Sequence, residues 1–213
     1  MLWQQSVSKR VHLFPAWKLV LCIFPLIASC AVLSTKSVVV HTIITEPVAS
    51  SEYVASTSFS LTGRISIQDE RQRSSGGIRW QHTENSDEIF LLSPFGQIMA
   101  QIERDHDNVR LTTSEQKVYY AADMSELTKE VLGWQIPLTG LQYWAQGTHS
   151  PTTLSMKDLD RDGKVVAIRQ DGWEINYINY FPAQSVQRQR PRVLALSYET
   201  LKIKLVVDNW DTK

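Results

Sequence analysis

Phe59-Ser60-Leu61-Thr62-Gly63-Arg64-Ile65-Ser66-Ile67 puts Phe59, Leu61, Ile65 and Ile67 on one side of an extended chain and Ser60, Thr62, Arg64 and Ser66 on the other. Successive side chains of a strand point to opposite faces, so this alternation predicts a strand with one buried face and one wet face. The pattern recurs downstream at Ile78 and Trp80, at Ile89 to Leu92, at Ile98, Ala100 and Ile102, at Val109 and Leu111, and at Val118 and Tyr120. Turn-forming stretches separate these runs: Arg73-Ser74-Ser75-Gly76, Thr83 to Asp87, Ser93-Pro94-Phe95-Gly96, Asp105 to Asn108 and Ser114-Glu115-Gln116. Short strands at such regular spacing predict consecutive antiparallel hairpins.

The rhythm breaks once. Met124, Leu127, Val131 and Leu132 recur at helical spacing, Asp123 or Ser125 can cap the start, and Gly133 can stop the helix. A second helix is expected from Thr139 to Ala145, ending at Gly147. Strands then resume at Val165 to Gln170, turn at Asp171-Gly172, and continue through Trp173, Ile175 and Tyr177, then Leu194, Leu196 and Tyr198, and finally Leu201, Ile203, Leu205 and Val207. The fold class expected is therefore mainly β with a few helices (α+β). Roughly ten or eleven strands with an inserted helical pair form a large antiparallel sheet that must curl or close on itself. Period two separates the two faces of each strand but leaves open which one looks inward.

Upstream, the chain reads differently. Lys9, Arg10 and Lys18 precede an apolar stretch from Leu19 to Ile27, and Ala28-Ser29-Cys30 follows. A cationic lead, a short hydrophobic core and small residues form a secretory signal pattern, and the core is too short to span a bilayer as a helix. Ile27-Ala28-Ser29-Cys30 is similar to a bacterial lipobox, in which the signal is cut before a cysteine that then receives lipid. Cys22 lacks the small residue needed at such a cut, and the folded part holds no cysteine for a disulfide framework. Residues 1–29 are thus expected to be a removed signal, 30–57 a lipidated tether with a short helix near Ser51 to Ser58, and 58–213 the folded domain. Ala31, where an Asp would favour retention at the inner membrane, implies the outer membrane.

Of the 213 residues, 43% are hydrophobic and 21% charged, the mix of an ordinary globular protein. Basic and acidic residues balance at 22 each, but with Lys9, Arg10 and Lys18 set aside, 19 basic side chains face 22 acidic ones. No basic cluster follows residue 29, so no nucleic-acid partner is expected. Asp158-Leu159-Asp160-Arg161-Asp162-Gly163 matches the first half of a calcium loop, but Arg169 stands where the bidentate Glu is required, so a solvated hairpin turn is the better reading. His82, His106 and His149 lie in polar or loop contexts and read as surface residues. Asp69-Glu70 and Asp87-Glu88 sit beside turns, where solvation explains them. No nucleophile elbow, zinc-protease helix, phosphate loop or dinucleotide turn occurs, so neither an enzyme, nor a metal, nor a cofactor is expected.

One turn stands out. In Leu91-Leu92-Ser93-Pro94-Phe95-Gly96-Gln97-Ile98, Pro94 presets the bend and Gly96 relaxes it, which places Phe95 at or near the tip. An aromatic there is exposed to water unless it folds back or meets a partner. Local physics alone favours folding back.

Together these pieces resemble the LolB family of outer-membrane lipoproteins, which receive other lipoproteins and insert them in the membrane. The resemblance rests on Leu61-Thr62-Gly63-Arg64-Ile65, Trp80-Gln81, Pro94-Phe95-Gly96, Gly133-Trp134-Gln135-Ile136-Pro137-Leu138 with Leu141, Trp144 and Gly147, and Lys204-Leu205-Val206-Val207-Asp208-Asn209-Trp210, all behind the lipobox. Phe95 departs from the Leu often found at that point, and the tether after Cys30 is unusually apolar. The resemblance implies an incomplete antiparallel barrel of about eleven strands enclosing an apolar cavity covered by helices. It implies lipidation at Cys30, an exposed membrane-insertion loop at Pro94, Phe95 and Gly96, and no folding back of Phe95. The expected acyl-chain cavity wall is drawn from Ile65, Ile67, Ile78, Trp80, Ile98, Ile102, Leu194, Leu196, Ile203 and Leu205. Implied partners are a LolA-like periplasmic lipoprotein carrier, acylated client lipoproteins and outer-membrane lipid, with the protein a monomer. A structural or enzyme-accessory outer-membrane lipoprotein with a similar β body and no lipid ligand is the alternative.

Overall fold

The computed structural model describes residues 38–47, 58–106, 108–182 and 189–211. Cys30 and the signal-like segment lie outside them, as does the helix expected near residues 51–58 apart from its last residue. Twelve strands form one sheet: β1 (His41–Thr45), β2 (Phe59–Gln68), β3 (Arg73–His82), β4 (Ser86–Leu92), β5 (Ile98–Asp105), β6 (Asn108–Thr113), β7 (Val118–Ala121), β8 (Ser155–Leu159), β9 (Val165–Gln170), β10 (Trp173–Tyr180), β11 (Pro191–Tyr198) and β12 (Leu201–Asp211). Their spatial order is β1-β8-β9-β10-β11-β12-β2-β3-β4-β5-β6-β7, and every neighbouring pair is antiparallel. Consecutive hairpins thus run from β2 to β7 and again from β8 to β12. β12 lies against β2 and joins the two series. β1 and β7 are the free edges.

The two strands absent from the sequence reading are β1 and β8, and the reason is chemical. β8 buries Ser155 and Asp158 where an apolar alternation would be sought, and β1 is exposed over nearly its whole length. Their pairing from His41↔Leu159 to Thr45↔Ser155, with the Thr42 hydroxyl donating to Asp158 Oδ1 at 2.7 Å, makes part of the expected tether a sheet edge. The half-matched calcium loop is the β8–β9 hairpin. Asp160 Oδ1 accepts from the backbone N–H of Asp162 and Lys164, Gly163 takes φ 74°, and Arg169 pairs with Asp158 at 2.7 Å.

Between β7 and β8 lie α1 (Met124–Leu132) and α2 (Leu138–Trp144). Asp123 caps α1 by accepting from the Glu126 N–H, and Gly133 ends it in the left-handed conformation at φ 86°. Met124 and Leu127 of α1 and Leu138, Leu141 and Trp144 of α2 join a single buried cluster with Ile65, Ile67, Ile78, Trp80, Ile102, Leu194, Leu196, Ile203 and Leu205. The face left open by periodicity is therefore the one the helices cover. α2 is pinned by buried polar groups: the Trp144 indole N–H donates to Gln170 Oε1 at 2.9 Å, and the Tyr177 hydroxyl donates to the Trp144 carbonyl at 2.8 Å. The result is an open antiparallel sheet, an incomplete barrel, with residues of both helices packed into the cluster on its buried face.

Candidate functional site

The β4–β5 turn is closed by its own hydrogen bonds. Ser93 N–H donates to the Gln97 carbonyl, Gly96 N–H donates to the Ser93 carbonyl, and Ser93 Oγ accepts from the Phe95 and Gln97 N–H groups. Gly96 supplies the left-handed bend at φ 81°, where other residues are strained. With every nearby backbone donor satisfied inside the turn, the Phe95 ring is thrown clear and is 91% exposed. The folding back that local physics favours does not occur. The exposed loop implied by the family resemblance does.

Ile98 departs from expectation. It shares the parity of the buried Ala100 and Ile102, yet it is 48% exposed. The cause is a β-bulge: Leu91 pairs with Ala100 but Leu92 pairs with Ile98, so Met99 is an extra residue and the strand reverses its faces there. Ile98 consequently adds to the exposed apolar residues beside Phe95 instead of lining the interior, and Met99 is half exposed next to it. Gly76 on β3 makes the local backbone approach possible, since a β-carbon there would sit 1.9 Å from the Leu92 carbonyl oxygen.

Beside this loop a narrow apolar pocket of about 80 Å³ opens between the ends of β2 to β5 and the C-terminal end of α1. Ile65, Ile67, Leu91, Met99, Leu132 and Trp134 line it, with Ser74 and Ser75 supplying the hydroxyls. Of the expected cavity wall, Ile65 and Ile67 reach this pocket; Ile78, Trp80, Ile102, Leu194, Leu196, Ile203 and Leu205 are buried in the packed cluster behind it. Sequence reasoning did not single out Met99, Leu132 or Trp134 as pocket residues. Met99 is placed by the bulge, and the other two by the helix end.

At the opposite end of the same strands lies a wider cleft of about 600 Å³, lined by Phe59, His82, Asp87, Glu88, Glu103 and Arg104 among others. Its size does not make it a lipid site, because Glu88, Glu103, Arg104 and Asp105 in its lining hold water that hydrocarbon cannot replace. Asp87 is 2% exposed, so the solvated acid expected beside that turn is in fact buried. It accepts from the Trp80 indole N–H at 2.7 Å and from Arg104 Nε at 2.7 Å, and it lies 2.7 Å from His82 Nδ1. Burial pushes the Asp87 carboxyl up, but the His82 hydrogen bond and charge, with the Trp80 and Arg104 contacts, outweigh it and hold the group below the usual aspartate range. His82 and His149 are likewise buried, contrary to the surface reading, whereas His106 is exposed. Phe59, in the lining of the cleft, packs edge-on against Trp80 and Trp210, and the Asp87 carboxylate beneath is sealed from water.

Residues 57–210 match the model of the family described as outer membrane lipoprotein LolB. An outer-membrane lipoprotein LolB from Nitrosomonas europaea is 47% identical over 191 residues, 90% of each chain. One from Thiobacillus denitrificans is 40% identical over 154 residues, 72% of this chain and 80% of the relative. Among solved structures, a LolA superfamily protein from Nitrosomonas europaea aligns with 75% of this chain and 88% of its own, at 9% identity and a TM-score of 0.46. On the family match and the identity to these relatives, the chain belongs to the LolB family of lipid-anchored outer-membrane lipoproteins.

Proposed function

We propose that the protein accepts lipoproteins from a LolA-like periplasmic carrier by taking their acyl chains against its apolar interior, and inserts them into the outer membrane. The observation that carries this reading is the adjacency of an apolar pocket under α1 to a turn whose Phe95 ring stands in solvent. A soluble domain gains nothing from presenting Phe95, Ile98 and Met99 to water together unless lipid meets them. Cys30 is the lipidated mature N-terminus in this reading, with residues 1–29 removed and residues 30–57 leading to the barrel domain.

Energetics explains the need. Three acyl chains bury roughly 45 methylenes at about 0.8 kcal/mol each, so free escape from lipid into water is prohibitive. Noncovalent affinities saturate near about 18–21 kcal/mol, so no carrier matches the membrane itself. Handover between apolar surfaces of rising affinity, ending in the bilayer, requires neither nucleotide nor metal. The pocket beside Leu132 and Trp134, at about 80 Å³, is too small for a whole acyl chain, so entry begins there and loading requires α1 and α2 to yield space.

The test is uptake of a hydrocarbon fluorophore, its displacement by a triacylated lipoprotein, and passage of that lipoprotein to outer-membrane vesicles. Saturable uptake, displacement and passage are expected. A protein that takes up neither probe nor lipoprotein while remaining folded favours the structural-lipoprotein alternative.

A further inference from the structure

Trp80, Trp144 and Trp210 each donate their indole N–H to an oxygen of the protein: Asp87 Oδ1, Gln170 Oε1 and the Pro191 carbonyl. Trp134 does not. Its Nε1 is shut off from solvent and meets no hydrogen-bond partner among the described residues. Buried donors in native proteins are almost always paired, and of the orphaned side-chain atoms among the described residues this one alone belongs to a residue that lines the apolar pocket. The ring is half-buried and lines the apolar pocket, with Ile65, Ile67, Leu132 and Met99 as neighbours in that lining.

We propose that the Trp134 N–H receives an acyl carbonyl, the ester or amide oxygen that joins a fatty chain to a client's lipidated cysteine. This rests on the reading that the pocket takes acyl chains, and adds which atom of the lipid is recognised. The pocket constrains the ligand by its chemistry. The acceptor must be carried on a molecule otherwise compatible with aliphatic walls. No cationic side chain lines the site, which disfavours a phosphate or a free carboxylate. An acyl ester meets both conditions, because its carbonyl lies where hydrocarbon gives way to a polar head. An amphipathic indole at the rim suits that junction. The hydrogen bond then sets how deep a chain sits, and distinguishes acyl lipid from bare hydrocarbon.

The experiment uses the full chain and two synthetic probes: a peptide with S-dipalmitoylglyceryl cysteine and its ether-linked dialkyl twin, each competing with a hydrocarbon fluorophore. The ester probe is expected to bind about tenfold more tightly than the ether, the scale of one buried hydrogen bond made or left unmade. Trp134→Phe should erase that preference, so that within the variant the ester and ether probes compete equally with the fluorophore. In the unaltered protein the Trp134 indole proton resonance should move with the ester probe and stay still with the ether, a readout independent of whether the variant folds. Equal binding of the two probes, a preference that survives Trp134→Phe, or an unmoved indole resonance would overturn the proposal while leaving acyl binding intact. Failure of the fluorophore itself to bind would defeat the parent reading and this one with it.

Discussion

At one end of β4 the inward face closes on Asp87, a buried carboxylate contacted by Trp80, His82 and Arg104; eight residues further on, the same chain runs into Phe95, which touches nothing that shields it. The first end is polar yet sealed, because each of its contacts is matched and aromatic rings cover it. The second is apolar yet open, because a self-satisfied turn and a β-bulge hold Phe95, Ile98 and Met99 outward. Polarity alone thus does not say which end works on lipid. What distinguishes them is whether groups are left unmatched: the Asp87 end has charge answered by charge, while the Phe95 end has an exposed ring, exposed aliphatic chains, and an indole N–H with no acceptor among the described residues. The proposed function assigns lipid handling to the second end and leaves the first to hold the fold.

The largest way to break this contrast is at the sealed end. Asp87→Ala leaves Arg104 partly buried without its carboxylate and frees the Trp80 N–H, so unfolding free energy should fall by about 3–5 kcal/mol in denaturant titration. A pH titration sharpens the point. The folded pKa of Asp87 lies below its unfolded value, so the stability it adds is present above the ordinary aspartate value near 3.9 and is lost as pH falls through the folded value. Asp87→Asn should flatten that acid limb. An unchanged acid limb would show that other carboxylates carry it.

Gly76→Val is the intermediate case. The added side chain collides with the Leu92 carbonyl, and overpacking of this kind typically removes about 1–3 kcal/mol. Its consequence should be local, because β4 beyond Leu91 can move outward where its pairing with β5 is already interrupted by the bulge at Met99. Lipoprotein delivery is expected to fall more steeply than melting temperature, measured side by side. Equal losses would mean that the loop has no role beyond the fold.

How much of this was legible in the residues depends on the kind of signal. Ile65, Ile67, Ile203 and Leu205 alternate with polar neighbours and were placed on the buried face by period two alone. The caps of α1 at Asp123 and Gly133 were readable because each has a specific backbone role. β1 was not readable, since an edge strand exposed on both sides carries no alternation. Ile98 was misplaced because a bulge changes parity without any change in composition. Asp87 reads like any acid beside a turn, for its burial depends on His82 and Arg104 arriving from other strands. Phe95 lay between the two regimes: turn residues located it, but only the completed hydrogen bonding of Ser93 and Gly96 determined that it points outward.

The smallest expected change in stability comes from Phe95→Glu, and it is the most direct test of the division between the two ends. With so little of the side chain buried, the substitution should shift unfolding free energy by no more than about 0.5 kcal/mol. Delivery of lipoproteins to outer-membrane vesicles, measured with the same preparation, should nevertheless drop sharply while acceptance from the carrier persists. A stable Phe95→Glu protein that delivers at the normal rate would contradict the account.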